Sequence, residues 1–250
     1  LVGSEMCIRD RDQTFKVDLS KPIDISLPLK AGLDNPTAWY VPEVKMDAVI
    51  MGDWVGEVKQ GGSVNFFNIS FNPHGHGTHT ECVGHISENK ESVNDCIRSY
   101  FFNAQLISIE PTKQGEDGVI TKTQIESLIE NNIEAMVIRT LPNGEDKKTK
   151  AYSNTNPPYL EKEAAQLLRD LGVKHLLIDL PSVDKEQDNG VLAAHHAFWD
   201  YPQNTRMDCS ITELIYVPSK IEDGRYLLNL SFAPFHNDAS PSRPTLYALI

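Results

Sequence analysis

Positive charge is scarce in this sequence: 23 lysines and arginines stand against 35 aspartates and glutamates, a formal net charge of −12. A chain of this sign lacks the basic footprint of nonspecific nucleic-acid binding, and nowhere do aromatic and basic residues interleave. Long apolar runs are missing as well. The longest candidates are pieces such as His175-Leu176-Leu177-Ile178, far below the ~18 consecutive residues that mark a membrane span. Neither nucleic acid nor a membrane is therefore expected as a partner. Cysteine is sparse, and the thiols at positions 7, 82, 96 and 209 show neither CxxC spacing nor the density of a disulfide scaffold. That usage suits a reducing compartment and makes the cytoplasm the expected location. Internal repeats and low-complexity segments are absent, and the first residues lack both a starting methionine and the apolar core of a signal peptide. The opening string reads as foreign sequence, so residues 1–12 are expected to be a non-native leader or artefact. Residues 13–250 are then a single domain, long enough to bury a substantial core.

Against these absences one local excess stands out. Four of the eight histidines fall between His74 and His85, in the run His74-Gly75-His76-Gly77-Thr78-His79-Thr80-Glu81-Cys82-Val83-Gly84-His85. On an extended strand, residues i and i+2 share a face, roughly 6.5 to 7 Å apart. His79 and Glu81 are such a pair, and imidazole nitrogen and carboxylate oxygen both bind zinc at about 2 Å, so the two can converge on one ion. Cys82 then faces the other way. The competing readings are a histidine-rich exposed loop, core histidines each satisfied by a hydrogen bond, and a nucleophilic Cys82 activated by His85.

Elsewhere the patterns alternate between strand and helix. Residues 15–29 read as extended segments broken by Pro22 and Pro28, followed by proline-punctuated loop to Asp53 that carries Trp39 and Tyr40. Ser63 to Phe71 alternates as a half-buried strand leading into the histidine run. Strands are expected at 104–110, 133–140, 173–180, 211–217, 225–232 and 245–250. Helices are expected from a capping box at Thr123-Gln124-Ile125-Glu126 to about Asn131, at 161–171 closed by Gly172, and at 191–199. This order signals an α/β domain. Glu213 sits on the apolar face of its strand with Ile211, Ile215 and Val217; buried there, it needs a metal or a basic partner, whereas on an edge strand it would sit in solvent. His195 and His196 are 100° apart on their helix, so at most one points squarely at a given site.

The chain resembles, as a divergent member, the cyclase-like metal-dependent hydrolases that include bacterial kynurenine formamidase and isatin hydrolase. Their signature is His-x-Gly-Thr-His-x-Asp-x-Pro-x-His. Asp18-Leu19-Ser20-Lys21-Pro22-Ile23, Val137-Ile138-Arg139-Thr140, Ile178-Asp179-Leu180-Pro181-Ser182-Val183-Asp184 and Asp238-Ala239-Ser240-Pro241-Ser242-Arg243 resemble further family segments, in the family's order. The resemblance implies a mixed, barrel-like sheet with flanking helices. It also implies metal ligands at His79, Glu81, His195 and Glu213, a proton-carrying His85, and a homodimer or higher homo-oligomer. The family's first ligand histidine falls on Gly75, its aspartate on Glu81 and its proline on Val83. A local shift would let His76, or in its stead His74, supply the missing ligand.

The expected function is hydrolysis of an amide, formamide or cyclic amide C–N bond in a small molecule by metal-activated water. One or two ions would serve, zinc first and manganese second. The alternative is a family fold that binds a small molecule without turning it over. Trp39, Tyr40, Trp54 and Trp199 are candidates to stack on an aryl substrate.

Overall fold

The computed structural model describes residues 5–10 and 13–250; residues 1–4 and 11–12, within the expected leader, lie outside the described residues. Eight strands form one mixed sheet: β1 (Ile23–Asp24), β2 (His79–Glu81), β3 (Phe101–Ile109), β4 (Ala135–Thr140), β5 (His175–Ile178), β6 (Ser210–Glu213), β7 (Gly224–Phe232) and β8 (Ala239–Ala248). Their order is β7-β3-β4-β5-β6-β2-β8-β1, and β7 also pairs with β8. Seven strands thus close into a barrel-like ring, with β1 added beside β8, as the resemblance implied. The run β3-β4-β5-β6 is parallel and the remaining pairings are antiparallel.

The two-residue period of the strands sorts their side chains into two cores. Ala135 and Val137 of β4 join Leu106, Leu177 and Leu228 inside the ring. Among the described residues the α-helices are α1 (Val93–Cys96), α2 (Lys122–Leu128), α3 (Lys162–Asp170) and α4 (Ala193–Trp199), and Met136 and Ile138 face outward onto the last two, packing with Leu168, Phe198 and Trp199. Burying each such side chain contributes about 1.5 to 3 kcal/mol, which is why parallel strands with both faces covered read as continuous apolar runs. Helix α3 ends as expected: Gly172 takes φ +80° and its N–H bonds to Arg169 O at 2.9 Å. No helix among the described residues is long and apolar enough to cross a membrane.

Four local expectations are corrected. The capping box opens two residues earlier, with Thr121 as the N-cap and Gln124 reaching back to it, and the helix spans Lys122–Leu128 only. The alternating segment near Phe67 pairs as Phe67–Ser70 with Lys45–Ala48 in a separate two-stranded arm, and Phe67 and Ile69 are exposed instead of half-buried. Strand β6 stops at Glu213, because Leu214 adopts φ +53°. The alternation is broken there, so Ile215 and Val217 turn into the ring while Ile211 stays on the helix side. Finally, β8 begins at Ala239, six residues before its expected start.

Candidate metal centre

The pairing register builds the site. Opposite His79 on β2 lies Glu213 of β6, and opposite Glu81 lies Ile211. His79, Glu81 and Glu213 therefore project from the outer wall of the ring toward α4, while Thr80 and Thr212 face the other way and share a 2.8 Å hydrogen bond. From α4, His195 brings Nε2 to 3.1 Å from Glu81 Oε1 and 3.9 Å from Glu213 Oε1. His79 Nε2 lies 3.4 Å from Glu213 Oε2. All four side chains are buried. His196, one position on, turns away and bonds Tyr201 O through Nδ1 at 3.1 Å, so the choice that periodicity left open falls to His195.

The same question for the residues flanking Gly75 has an equally definite geometric answer. A Cβ at Gly75 would sit 2.6 Å and 2.8 Å from the two Val41 methyl carbons, so position 75 carries no side chain here. His76, the preferred substitute, is not brought to the cluster. Its Nδ1 accepts the Asn72 N–H at 2.8 Å and its Nε2 donates to Pro42 O at 2.6 Å, which uses both nitrogens. His74 instead places Nδ1 3.0 Å from Glu81 Oε2. Its ring centroid is 5.2 Å from that of His79 and 4.3 Å from that of His85.

Sequence reasoning missed two carboxylates. Asp184 Oδ2 accepts from His195 Nδ1 at 2.6 Å, and Asp184 also takes the Ala194 and His195 N–H groups at the start of α4. Asp238 Oδ2 accepts from His74 Nε2 at 2.8 Å and lies 3.4 Å from His85 Nδ1. Both positions fall within family-like segments, yet their pairing with particular histidines is a tertiary fact.

Every ion pair that Glu81, Glu213, Asp184 and Asp238 make among the described residues is with a histidine. Burial disfavours charge on His74, but Asp238 and Glu81 outweigh it and raise its pKa to about 10. His195 is raised to about 10 against the same burial by Asp184, Glu81 and Glu213. Burial likewise opposes ionisation of Glu81, and His85, His195 and His74 nevertheless hold it well below the usual carboxylate range.

Within the cluster, His79 Nε2 and Glu81 Oε2 are buried and make no hydrogen bond among the described residues, the latter lying 3.0 Å from His74 Nδ1 as an ion-pair contact only. Because Gly77 O can only accept, His79 donates to it through Nδ1 at 3.1 Å, and in the neutral ring the Nε2 lone pair then faces Glu213 Oε2 at 3.4 Å. Such an arrangement repels unless a cation lies between the two. The ligand atoms of His79, Glu81 and Glu213 lie within 4.8 Å of one another, as do those of His74, Glu81 and His85. Mixed imidazole and carboxylate donors suit a divalent zinc or manganese ion, so the residues fit the implied metal.

The cluster opens onto a cavity of about 310 Å³, with Trp39, Val41 and Leu192 as apolar wall and Asn72, Ser182 and Lys185 as polar groups. Of the other candidate aromatics, Trp199 is fully buried core, Tyr40 is exposed and Trp54 packs on Phe66 in the arm. Cys82 is corrected as a nucleophile. Its side chain is buried, Sγ donates to Glu91 O at 3.1 Å, and contact with Cys96 together with burial pushes the thiol far up.

The metal-free protein should lose stability as pH rises above neutrality. His74 and His195 have folded pKa values of about 10 against an unfolded value near 6.5. Their contribution is complete below about 6.5 and disappears as pH passes through about 10. Asp184 and Asp238 are lowered from 3.8, after hydrogen bonds and charge from the histidines overcome burial; their contribution disappears only in acid. Calorimetry of chelator-stripped protein should show a lower melting temperature at pH 9 than at pH 6. A melting temperature that rises over this window would contradict the ionic pairing.

The family model described as "Putative cyclase" matches residues 17–185. A kynurenine formamidase of Bacillus cereus is 26% identical over 232 residues, covering 92% of this chain and 96% of that protein. A solved potential metal-dependent hydrolase with cyclase activity superposes with a TM-score of 0.67 at 18% identity, covering 91% of this chain and 97% of that one. An isatin hydrolase bound to the product analogue thioisatinate gives 0.66 at 14% identity, covering 92% and 94%. These two structures share the fold.

Proposed function

The chain belongs to the putative cyclase family, and from that premise we propose that it is a metal-dependent hydrolase cleaving an amide, formamide or cyclic amide C–N bond in a small molecule. The observation that carries this reading is the pair of buried atoms that make no hydrogen bond, His79 Nε2 and Glu81 Oε2, among carboxylates whose ion pairs are all with histidines. In this reading His74, His79, Glu81, His195 and Glu213 hold one or two ions, zinc by preference and manganese otherwise. A divalent ion held there supplies Lewis acidity and lowers the pKa of water from about 15.7 toward 7. The protein's own groups do the rest. Asp184 and the Gly77 carbonyl fix the rings of His195 and His79 by their second nitrogens. The apolar wall of the cavity seats the substrate against these ligands, and His85, 30% exposed on the cavity side, passes a proton to the leaving nitrogen.

The names of the relatives support the reaction class: one is a formamidase at 26% identity. The rival of a binding protein without turnover drew on the glycine at position 75, and with His74 Nδ1 3.0 Å from Glu81 no feature favours it. The test is to strip the purified protein with a chelator and assay formamides, lactams and carbamates before and after restoring Zn2+ or Mn2+. Turnover that returns with the ion is expected. Full activity in stripped protein, or none in reloaded protein, would overturn the reading.

The same reading includes a homodimer or higher homo-oligomer. The arm of residues 45–70 supports it, since Ile50, Phe66 and Ile69 expose 69%, 53% and 55% of their surface on one small structure. Light scattering should find more than one chain per particle, and Ile69→Glu should shift the population toward monomer. A monomeric wild type would refute this.

A further inference from the structure

We propose that Asp238 is the positioning residue of the site: one carboxylate that aims both His74 and His85. The proposal rests on the metal-site reading above. His79 and His195 stand on a strand and a helix, which fix their backbones. His74 stands in neither, but in the turn that follows the arm, so something must hold its ring. Asp238 Oδ2 does so from 2.8 Å at Nε2, and this bond leaves Nδ1 as the nitrogen directed at Glu81 Oε2, 3.0 Å away. The same oxygen lies 3.4 Å from His85 Nδ1. The two rings are held 4.3 Å apart at 30° by a carboxylate they share.

Asp238 is itself well anchored. Its carbonyl accepts the Cys82 N–H at 3.0 Å, and the next residue, Ala239, pairs directly across from Glu81. The carboxylate is therefore registered to the strand that carries the ligands. His195 with Asp184 repeats the design, a ring tied by one nitrogen to a carboxylate and by the other facing Glu81. A carboxylate in this position fixes ring orientation and strengthens the imidazole as a donor, and its loss typically weakens metal binding 10- to 100-fold.

The test is a competition titration of Zn2+ against a chromophoric chelator, on chelator-stripped wild type and on Asp238→Ala, Asp238→Asn, His74→Ala and the double variant Asp238→Ala/His74→Ala. Asp238→Ala should weaken Zn2+ binding 10- to 100-fold in the wild-type background, and by no more than about two-fold once His74 is gone, because the carboxylate then has no ligand ring to aim. In the loaded enzyme kcat should fall more than KM rises, since His85 is misaimed while the cavity wall is intact. Asp238→Asn keeps the shape, so it separates a folding defect from a loss of aim, and it too should weaken Zn2+ binding while His74 is present. Equal weakening in both backgrounds would make Asp238 a structural residue and overturn the proposal, as would unchanged affinity in Asp238→Ala. A wild type that takes up no Zn2+ would instead overturn the metal reading itself, and with it this inference.

Discussion

Glu81→Gln should give a folded protein that purifies without a metal ion and cannot be reloaded, with hydrolysis reduced by at least roughly 10³-fold. Glu81 is the residue on which the cluster converges. Its Oε1 faces His195 at 3.1 Å, its Oε2 faces His74 at 3.0 Å and His85 at 3.8 Å, and its side chain is wholly buried. Among the described residues no other carboxylate is shared by both candidate ligand groups. The amide keeps the shape and one accepting oxygen but presents an N–H pair to an imidazole or an ion, and it removes the negative charge that a buried cation requires. Losing an ion that supplies about 4 kcal/mol of transition-state stabilisation corresponds to the stated factor. Elemental analysis together with turnover of a formamide checks the prediction. Stoichiometric metal in Glu81→Gln would show that the ligands close without it.

Much of the site could be read from residue spacing, and the remainder depended on contacts between distant parts of the chain. The i, i+2 relation of His79 and Glu81 is local, so it survives folding unchanged. That Glu213 lies directly across from His79 is a matter of register between β2 and β6, separated by the 128 residues 82–209, and periodicity indicated only that a buried carboxylate needed a partner. The choice of His74 over His76 was decided by Val41 packed on Gly75 and by Pro42 O capturing His76, both contributed by the loop preceding the arm. Apolar runs placed most of the barrel, because a strand such as Ala135–Thr140, apolar over residues 135–138, is buried on both faces. Strand alternation failed where a single backbone angle intervened: Leu214 at φ +53° ends β6 and reverses the faces of Ile215 and Val217. Alternation failed again at Phe67–Ser70, whose pattern is real but whose apolar side chains find no core among the described residues.

His85 carries the second large effect, and its geometry makes the outcome discriminating. It lies beside the ligands, 3.8 Å from Glu81 and 3.4 Å from Asp238 through Nδ1, yet it is 30% exposed where Glu81 is wholly buried. Its position also allows a different role, since His74, Glu81 and His85 by themselves could hold an ion. A proton carrier and a ligand predict different losses. If His85 moves the proton, His85→Gln should lower kcat about 10²- to 10⁴-fold, with metal content and KM nearly unchanged. A better leaving group, such as an anilide bearing a nitro substituent, needs less protonation at nitrogen and should recover much of that loss. If His85 is a ligand, metal content falls with activity, and leaving-group acidity does not restore the rate. Exposure to the cavity favours the first outcome, because a group that hands a proton to a leaving nitrogen must reach the substrate; His85 lines the cavity, whereas His79, at 0% exposure, does not.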